Sequence, residues 1–339
     1  DVCSSDLAES GAAVLVNIAT GEILSMASFP DFNPNNRDGA VLDDFRNRAI
    51  SDTFEPGSTV KPLVIMTALQ QGIVQPDSVI DTHPFYLDGH RIRDVGFYPE
   101  LSLTGILQKS SDTGVSHLSL AMPVQKLLDT YKSFGFGDPT GLGLTGESSG
   151  LMPQRRYWSD LDRATFAFGY GLMVTPLQLA HVYATIGSFG IYRPLSITRI
   201  DPPVIGTRVM PEALVHQVEH MMESVALPGG GGTKAAVRDY RVAVKTGTAK
   251  KIGDDGKYVD KYVAYTAGVA PASDPKFALV VVINNPQNGA YYGGAVSAPV
   301  FSQIMGDVLR LENVKPDGMP ADSDHLLVMH GSNVSSPSL

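Results

Sequence analysis

Hydrophobic and polar residues alternate near both ends of the chain. Residues 12–28 alternate around a Thr-Gly turn, which predicts a β-hairpin. The segments 240–251, 262–271 and 277–286 predict three further strands. Short Gly- and Asp-rich turns separate the first two of these, which favours antiparallel pairing. The two ends of the chain are therefore expected to share one sheet.

The middle of the chain follows a helical spacing. After Ser58, apolar residues recur every third position from Val60 to Leu69, and Gly72 ends the pattern. Residues 101–235 are mostly helical in pattern, and 297–311 predict a closing helix. The fold class predicted is α+β: an antiparallel sheet flanked by helices. A large, mostly helical lobe is inserted between the sheet segments, and the Ser58 helix begins at the cleft between the two.

The pattern divides the chain into three parts. Residues 1–9 form a leader of doubtful origin, because "DVCSSDL" fits nothing that follows. Residues 10–313 form one domain, with the helical lobe at about 63–235. Residues 314–339 are rich in Pro, Ser and Asp and are predicted to be a disordered tail. The absence of an initiator Met is typical of a fragment or a mature domain, with room for an anchor upstream.

Composition excludes some functions. The 339 residues carry a net charge of −9 without any basic run, which argues against a nucleic-acid surface. The single cysteine, Cys3, excludes an internal disulfide framework. The longest apolar runs fall far short of the roughly 20 residues that a membrane span needs.

Several short motifs lack the flanking secondary structure or the residue order that their usual function requires. "GLGLTG" (141–146) and "GESSG" (146–150) do not sit between a strand and a helix, which dinucleotide binding and a nucleophile elbow require. "HQVEH" (216–220) lacks the order of a zinc helix, so no metal site is expected. "LPGGGG" (227–232) is interpreted as a mobile loop near the cleft.

Three other motifs occur in a meaningful order. Ser58 and Lys61 form S-x-x-K at a predicted helix start, "SSD" follows at 110–112, and "KTGT" opens a predicted strand at 245–248. This order is typical of the penicillin-recognising serine acyl enzymes.

Longer strings make the resemblance specific. The chain resembles the transpeptidase domain of class B penicillin-binding proteins, and more narrowly the division-specific septal enzymes of Gram-negative bacteria. The resemblance covers roughly residues 10–312 and implies the fold shared by penicillin-binding proteins and serine β-lactamases. The matching strings are "FEPGSTVKP", "LTGILQKSS", "RATFAFGYGLMVTPLQLA", "IYRPLSIT", "VALPGGGGTKAA", "VKTGTAKK" and "YYGGAVSAPVF".

The resemblance implies four catalytic residues, Ser58, Lys61, Ser110 and Lys245. Ser58 is the nucleophile, and a serine hydroxyl is weak until it loses its proton. Lys61 can take that proton only in its uncharged form, which burial, the helix start and a second cation at Lys245 all favour. By resemblance, Ser110 bridges the two lysines and passes a proton to the leaving amine.

The resemblance also implies four substrate-binding residues. Thr246 and Thr248, with Lys245, would hold the terminal carboxylate of the substrate, and Gly247 would let a substrate strand approach the sheet edge. The backbone N–H groups of Ser58 and Thr248 would form an oxyanion hole.

The fourth of these, Asp112, departs from the Asn of the septal enzymes. A carboxylate about 4 Å from Lys61 would stabilise the charged lysine by roughly 4 kcal/mol at an effective dielectric constant of 20. Asp112 is therefore predicted to turn towards Lys245 or the helical lobe, or to be partly protonated.

The implied activity is D,D-transpeptidation of peptidoglycan stem peptides during septal wall synthesis, with inhibition by β-lactams. The implied location is the periplasm, with an N-terminal membrane anchor that this chain lacks. A septal glycosyltransferase and other division proteins are the implied partners; neither a cofactor nor nucleic acid is expected. A β-lactamase, a β-lactam sensor and a division scaffold with a dead site remain open, although the E-x-x-L-N string of a deacylating β-lactamase is absent.

Overall fold

The computed structural model describes residues 7–201, 205–253 and 255–318. The start of the predicted leader, with Cys3, and the tail from 319 lie outside the described residues. Within the predicted leader, the Glu9 carboxylate pairs with Lys251 and Lys261. Within the predicted tail, the Asp317 carboxylate accepts the backbone N–H groups of Arg241 and Ser273. Glu9 and Asp317 therefore contact the domain directly.

One five-stranded antiparallel sheet contains both ends of the domain, as predicted. Its strand order is β2-β1-β11-β10-β9, and Ser10 of the first strand pairs with Asn284 of the last. The edge strand β9 carries the 245–248 motif. The strands are β1 (Ser10–Asn17), β2 (Ile23–Phe29), β9 (Ala243–Ile252), β10 (Tyr258–Ala270) and β11 (Phe277–Asn284).

Three two-stranded sheets lie in the middle segment and were not predicted. Their strands are two or three residues long, too short to show a period. The pairs are β3 (Val79–Asp81) with β6 (Glu100–Ser102), β4 (Phe85–Leu87) with β5 (His90–Ile92), and β7 (Ile191–Tyr192) with β8 (Thr207–Arg208).

The helices start where the sequence places caps and turns. A 3-10 turn at Gly57–Val60 leads directly into the helix that begins at Lys61. The α-helices of the described chain are α1 (Arg48–Ser51), α2 (Lys61–Gln70), α3 (Leu103–Lys109), α4 (Asp112–Leu120), α5 (Val124–Ser133), α6 (Asp160–Ala167), α7 (Pro176–Gly187), α8 (Glu212–Glu223) and α9 (Gly293–Leu311). In the described part of the chain, none of them is both long and apolar enough to cross a bilayer.

Helices cover both faces of the sheet. The Thr266 hydroxyl bonds that of Ser297 in α9, whereas Val269, three positions along the same strand, lies against Gly187 of α7. Successive strand residues point to opposite faces, so α7 and α9 pack on opposite sides. Every residue of α7 is buried, and this helix packs on the sheet although it belongs to the segment 63–235 predicted as the helical lobe.

Candidate active site

Ser58 lies in the 3-10 turn where the lobe meets the sheet. The preceding Gly57 has a φ of +48°, and its N–H donates to the Gly169 carbonyl at 3.1 Å. A Cβ on Gly57 would lie 2.4 Å from the Tyr265 hydroxyl oxygen. The Pro-Gly pair is therefore required to bring the Ser58 turn this close to the sheet.

Tyr265 packs against two glycines of the site, Gly57 and Gly247. Its side chain is fully buried, and its hydroxyl donates to the Glu55 carbonyl at 2.9 Å. A Cβ on Gly247 would lie 2.0 Å from the Tyr265 ring. Gly247 was expected to give room to a substrate strand, but the position that it leaves open is filled by this ring. Packing explains the glycine, and its contact with substrate stays a prediction.

Lys61 lies one residue beyond the turn, and its N–H donates to the Ser58 carbonyl. Its side chain is fully buried. The Nζ atom donates to the Ser110 carbonyl at 2.6 Å, the Ser110 hydroxyl at 3.2 Å and Asp112 Oδ1 at 2.6 Å. These acceptors match the three hydrogens of an ammonium group.

The prediction that Asp112 turns towards Lys245 or the helical lobe is wrong, because its carboxylate bonds Lys61; the other alternative, partial protonation, stays a prediction. The reason is the cost of burying a cation without a counter-charge, which a carboxylate in contact with it offsets. The Asp112 side chain remains 38% exposed, so it pairs with the lysine while keeping contact with solvent.

Lys245 is the second buried amine of the site, 1% exposed. Its Nζ donates to the Ser110 hydroxyl and to the Thr246 carbonyl, each at 3.0 Å. Burial, and then the charge of Lys61, lower the pKa of Lys245 well below its ordinary value, while Asp112 acts in the opposite direction. The surroundings of Lys245 therefore favour an uncharged amine.

Ser110 bridges the two lysines, as predicted, because both Nζ atoms bond its hydroxyl. Its φ is +57°, in the left-handed region, at the junction where α3 ends and α4 is about to begin. A non-glycine residue in this conformation costs free energy, which the surrounding contacts must offset. The cost is consistent with a functional constraint on the position of this hydroxyl.

The threonines of the 245–248 motif border the cleft. The Thr248 hydroxyl accepts the N–H of Gly293 at 2.9 Å, which leaves its own O–H available as a donor. Thr246 faces the glycine loop: a Cβ on Gly231 would lie 3.8 Å from its Oγ1. That loop was predicted to lie near the cleft, and it does.

The glycine loop is attached to the lobe. Gly231 N–H donates to the Gln108 carbonyl at 3.2 Å, and Lys109 Nζ donates to the Gly229 carbonyl at 2.8 Å. The prediction that this loop is mobile is not tested by these contacts and stays a prediction.

Sequence reasoning missed Glu55, which lies within the quoted motif beside Phe54. Its carboxylate is buried and accepts the Gly171 N–H at 2.8 Å and the Tyr258 hydroxyl at 3.0 Å. Burial raises the pKa of Glu55, although these two hydrogen bonds oppose the shift. Burial, and then the Asp112 and Glu55 charges, raise the pKa of nearby Tyr170 to about 12. The signal was a charged residue directly before the Pro-Gly pair.

The other motifs lie away from this cluster. Residues 141–150 form loops, and His216 and His220 are exposed on α8. Within the residues that the structure describes, no group of three or more His, Cys, Asp or Glu side chains is placed to hold a metal. A cavity of 570 Å³ lies beside the site, lined by Phe54, Ala249 and Asn284 among others, but neither Ser58 nor Lys61 lines it.

Replacing Asp112 by Asn should speed acylation of Ser58 at neutral pH. The Asp112 carboxylate stabilises the charged Lys61 that it touches, and an amide does not. We expect the acylation rate at pH 7 to rise about tenfold in Asp112→Asn, less than the full Coulomb interaction would give because the carboxylate is partly solvated. Stopped-flow acylation by a chromogenic cephalosporin measures the rate. Asp260→Asn, at an exposed ion pair with Lys250, is the control and should leave the rate unchanged. An unchanged rate in Asp112→Asn would mean that the carboxylate does not control the reactive amine.

The fold and the site together define the class. A five-stranded antiparallel sheet covered on both faces, with Ser58 at the cleft beside Lys61, Ser110 and Lys245, is the arrangement of the penicillin-recognising serine proteins. The comparisons with known proteins agree and are more specific.

The chain belongs to the family of penicillin-binding protein transpeptidase domains, whose model matches residues 11–306. It is 64% identical to the peptidoglycan D,D-transpeptidase FtsI of Escherichia coli K12 over 98% of this chain and 56% of that protein. It is 39% identical to the probable peptidoglycan D,D-transpeptidase PenA of Neisseria gonorrhoeae over 91% of this chain and 53% of that protein. The chain thus spans somewhat more than half the length of these curated relatives.

A solved structure shows the same fold. The transpeptidase domain of Burkholderia pseudomallei penicillin-binding protein 3, in its apo form, superposes with a TM-score of 0.86 at 35% identity. The match covers 94% of this chain and 93% of that one.

Proposed function

We propose that this domain is the catalytic part of a septal peptidoglycan D,D-transpeptidase that works through a serine acyl-enzyme. The observation that carries the proposal is the network in which the Ser110 hydroxyl bonds two buried amines, Lys61 and Lys245, beside the turn that presents Ser58. The identity to the relatives named as peptidoglycan D,D-transpeptidases supports the substrate class.

The reaction begins at the donor stem peptide. Ser58 Oγ attacks the carbonyl of the penultimate D-Ala, and the backbone N–H groups of Ser58 and Thr248 stabilise the oxyanion. The tetrahedral intermediate collapses, the C–N bond breaks, and the terminal D-Ala leaves after its nitrogen receives a proton. An amine of a second stem then attacks the ester, loses a proton and forms the crosslink, which frees Ser58. A β-lactam acylates the same hydroxyl.

The proton path follows the hydrogen bonds. Lys61 must be uncharged to accept the Ser58 proton, and the Asp112 carboxylate at 2.6 Å opposes this by stabilising the charged form. Ser110 lies between both amines and can deliver a proton to the leaving nitrogen and recover one from Lys61 or Lys245. We propose that the threonine hydroxyls of the 245–248 segment and Lys245 hold the terminal carboxylate of the donor.

The setting of the whole protein is inferred from the resemblance to septal enzymes. We infer a periplasmic domain of a protein that is tethered to the inner membrane. A septal glycosyltransferase and other division proteins would be its partners. Neither a metal nor an organic cofactor is needed by the chemistry above.

Labelling with fluorescent penicillin tests the proposal. We expect one covalent label per chain, lost in Ser58→Ala and kept in the control Ser51→Ala, whose serine belongs to α1. The penicillin-labelled protein should not crosslink donor and acceptor stem peptides. Persistent labelling of Ser58→Ala would refute the nucleophile. Rapid nitrocefin turnover would indicate a β-lactamase, and labelling without crosslinking by the full-length protein would indicate a sensor.

A further inference from the structure

Asp94 holds the start of α4 from outside that helix. It lies in the loop between β5 and β6, 18 residues before Asp112. Its Oδ1 accepts the N–H of Asp112 at 2.7 Å and that of Thr113 at 2.9 Å. Its Oδ2 accepts the Thr113 hydroxyl at 2.9 Å. One side chain therefore fixes the last residue of the second catalytic motif and the residue that follows it.

These bonds complement the helix's own cap. Ser111 is the N-cap residue; its hydroxyl accepts the Gly114 N–H and also bonds the Thr113 hydroxyl, but it takes neither the Asp112 nor the Thr113 N–H. The first N–H groups of a helix have no partner within the helix, and a negative charge is stabilised there. Asp94 supplies the acceptor for the two that Ser111 does not reach.

One of the two residues that Asp94 holds, Asp112, bonds Lys61. Asp112, whose N–H it accepts, bonds Lys61 through its side chain at 2.6 Å. Ser110, two positions earlier, has the left-handed backbone that sets its hydroxyl between Lys61 and Lys245. A shift of the Asp112 backbone would therefore move the carboxylate that bonds Lys61. It would also move the Ser110 hydroxyl, which bridges Lys61 and Lys245.

The loop that carries Asp94 is itself fixed. The Thr82 hydroxyl donates to the Tyr98 carbonyl at 2.6 Å, and the Thr82 N–H donates to the Pro99 carbonyl at 3.0 Å. On the other side of Asp94, Ile92 is buried. The Thr113 hydroxyl also lies 3.2 Å from the Thr82 carbonyl, which ties the loop to α4 a second time.

We propose that Asp94 is a positioning residue for acylation of Ser58, acting through the backbone of Asp112 and Thr113 to set the Lys61–Ser110 network. The proposal rests on the proposed function and goes beyond it, because Asp94 belongs to none of the three motifs and touches neither Ser58 nor a lysine. It acts on the rate of the chemical step, since a small misplacement of a proton-transfer group slows reaction without removing a binding contact.

The test separates positioning from plain helix capping. Acylation by a chromogenic cephalosporin is followed at increasing concentration, which gives the limiting rate and the apparent dissociation constant. In Asp94→Ala we expect a limiting rate at least tenfold lower and a dissociation constant within threefold of the unchanged chain. Asp94→Asn retains an oxygen that can accept both N–H groups, and it should restore the rate to within threefold.

Ser102→Ala is the matched control. Ser102 caps α3 through a 3.1 Å bond from the Gly105 N–H, so its loss also removes a cap near the site. We expect its melting temperature to fall as in Asp94→Ala while its acylation rate stays unchanged. If Asp94→Ala does not fold, Asp94→Glu tests the same claim, because the longer side chain displaces the carboxylate, and at least a fivefold loss of rate is expected.

Two results would overturn the proposal. One is a limiting rate in folded Asp94→Ala, or in Asp94→Glu, equal to that of the unchanged chain. The other is an equal loss of rate in Ser102→Ala. Labelling of the unchanged chain and its loss in Ser58→Ala are measured in the same series, so a failure of the proposed function is recognised separately.

Discussion

Lys61→Met should lose acylation of Ser58 by about 10³-fold while the domain remains folded, because a general base contributes about 10² to 10⁴-fold to such a step. Lys61 is fully buried, and Met occupies a similar volume without charge or donors. The fold is expected to persist because Asp112, left without its cation, is 38% exposed and can be solvated.

The measurement is the limiting rate of acylation, with the melting temperature as a check on folding. Lys250→Met is the control: it removes a lysine of the same strand as Lys245 that is about half exposed and paired only at 3.6 Å with Asp260. It should acylate at the rate of the unchanged chain.

The opposite result would identify a different base. If Lys61→Met acylates within tenfold of the unchanged chain, the proton of Ser58 leaves by another route. Lys245 is the alternative that the structure offers, because burial lowers its pKa and its Nζ bonds the Ser110 hydroxyl. Lys245→Met would then show the thousandfold loss instead.

Local periodicity was sufficient to predict the main elements. The alternation at both ends of the chain marked the five strands because each strand spans at least seven residues. The resemblance carried by the three motifs implied that Ser110 would bridge Lys61 and Lys245, and both lysines bond its hydroxyl in the structure. In these cases the information is carried by neighbouring residues or by a spacing that the chemistry requires.

Pairings between distant segments could not be predicted in the same way. Asp112 was assigned to the site, but its pairing with Lys61 rather than Lys245 depends on which amine the folded chain brings within reach of its carboxylate. Asp94 belongs to no motif, and it reaches α4 only through two short strand pairs that are below the length that shows a period. Whether a polar side chain is buried likewise depends on packing between distant segments, as the buried Glu55 shows.

Glu219→Gln should stabilise the domain at neutral and alkaline pH, by about 3 kcal/mol at pH 7. Glu219 lies on the buried face of α8, 1% exposed, and within the described residues its Oε1 has no hydrogen-bond partner. Burial, and then the negative charge of Glu223, raise the pKa of Glu219 to about 8, while Arg241 opposes the shift. The folded state therefore holds a proton that the unfolded chain releases near its ordinary pKa of 4.5.

The sign follows from which state binds more protons. Between pH 4.5 and 8 the folded state binds the extra proton, so the free energy of unfolding falls as pH rises through this window and levels off above it. A glutamine does not titrate and avoids this loss. The stabilisation by Glu219→Gln should therefore be small at pH 5, grow to about 3 kcal/mol at pH 7 and reach about 5 kcal/mol above pH 8, since each pKa unit corresponds to about 1.4 kcal/mol.

Urea unfolding of both chains at pH 5, 7 and 9 measures the difference. Glu212→Gln is the control, because Glu212 lies on the same helix but is exposed and paired with Arg208. Its effect should be below about 1 kcal/mol and nearly constant with pH, as for other exposed ion pairs. If Glu219→Gln changes the free energy of unfolding equally at pH 5 and pH 9, the Glu219 carboxyl is ionised in the folded state across this range. In that case Arg241, which bonds Glu223 at 2.6 Å, would have to neutralise both Glu219 and Glu223.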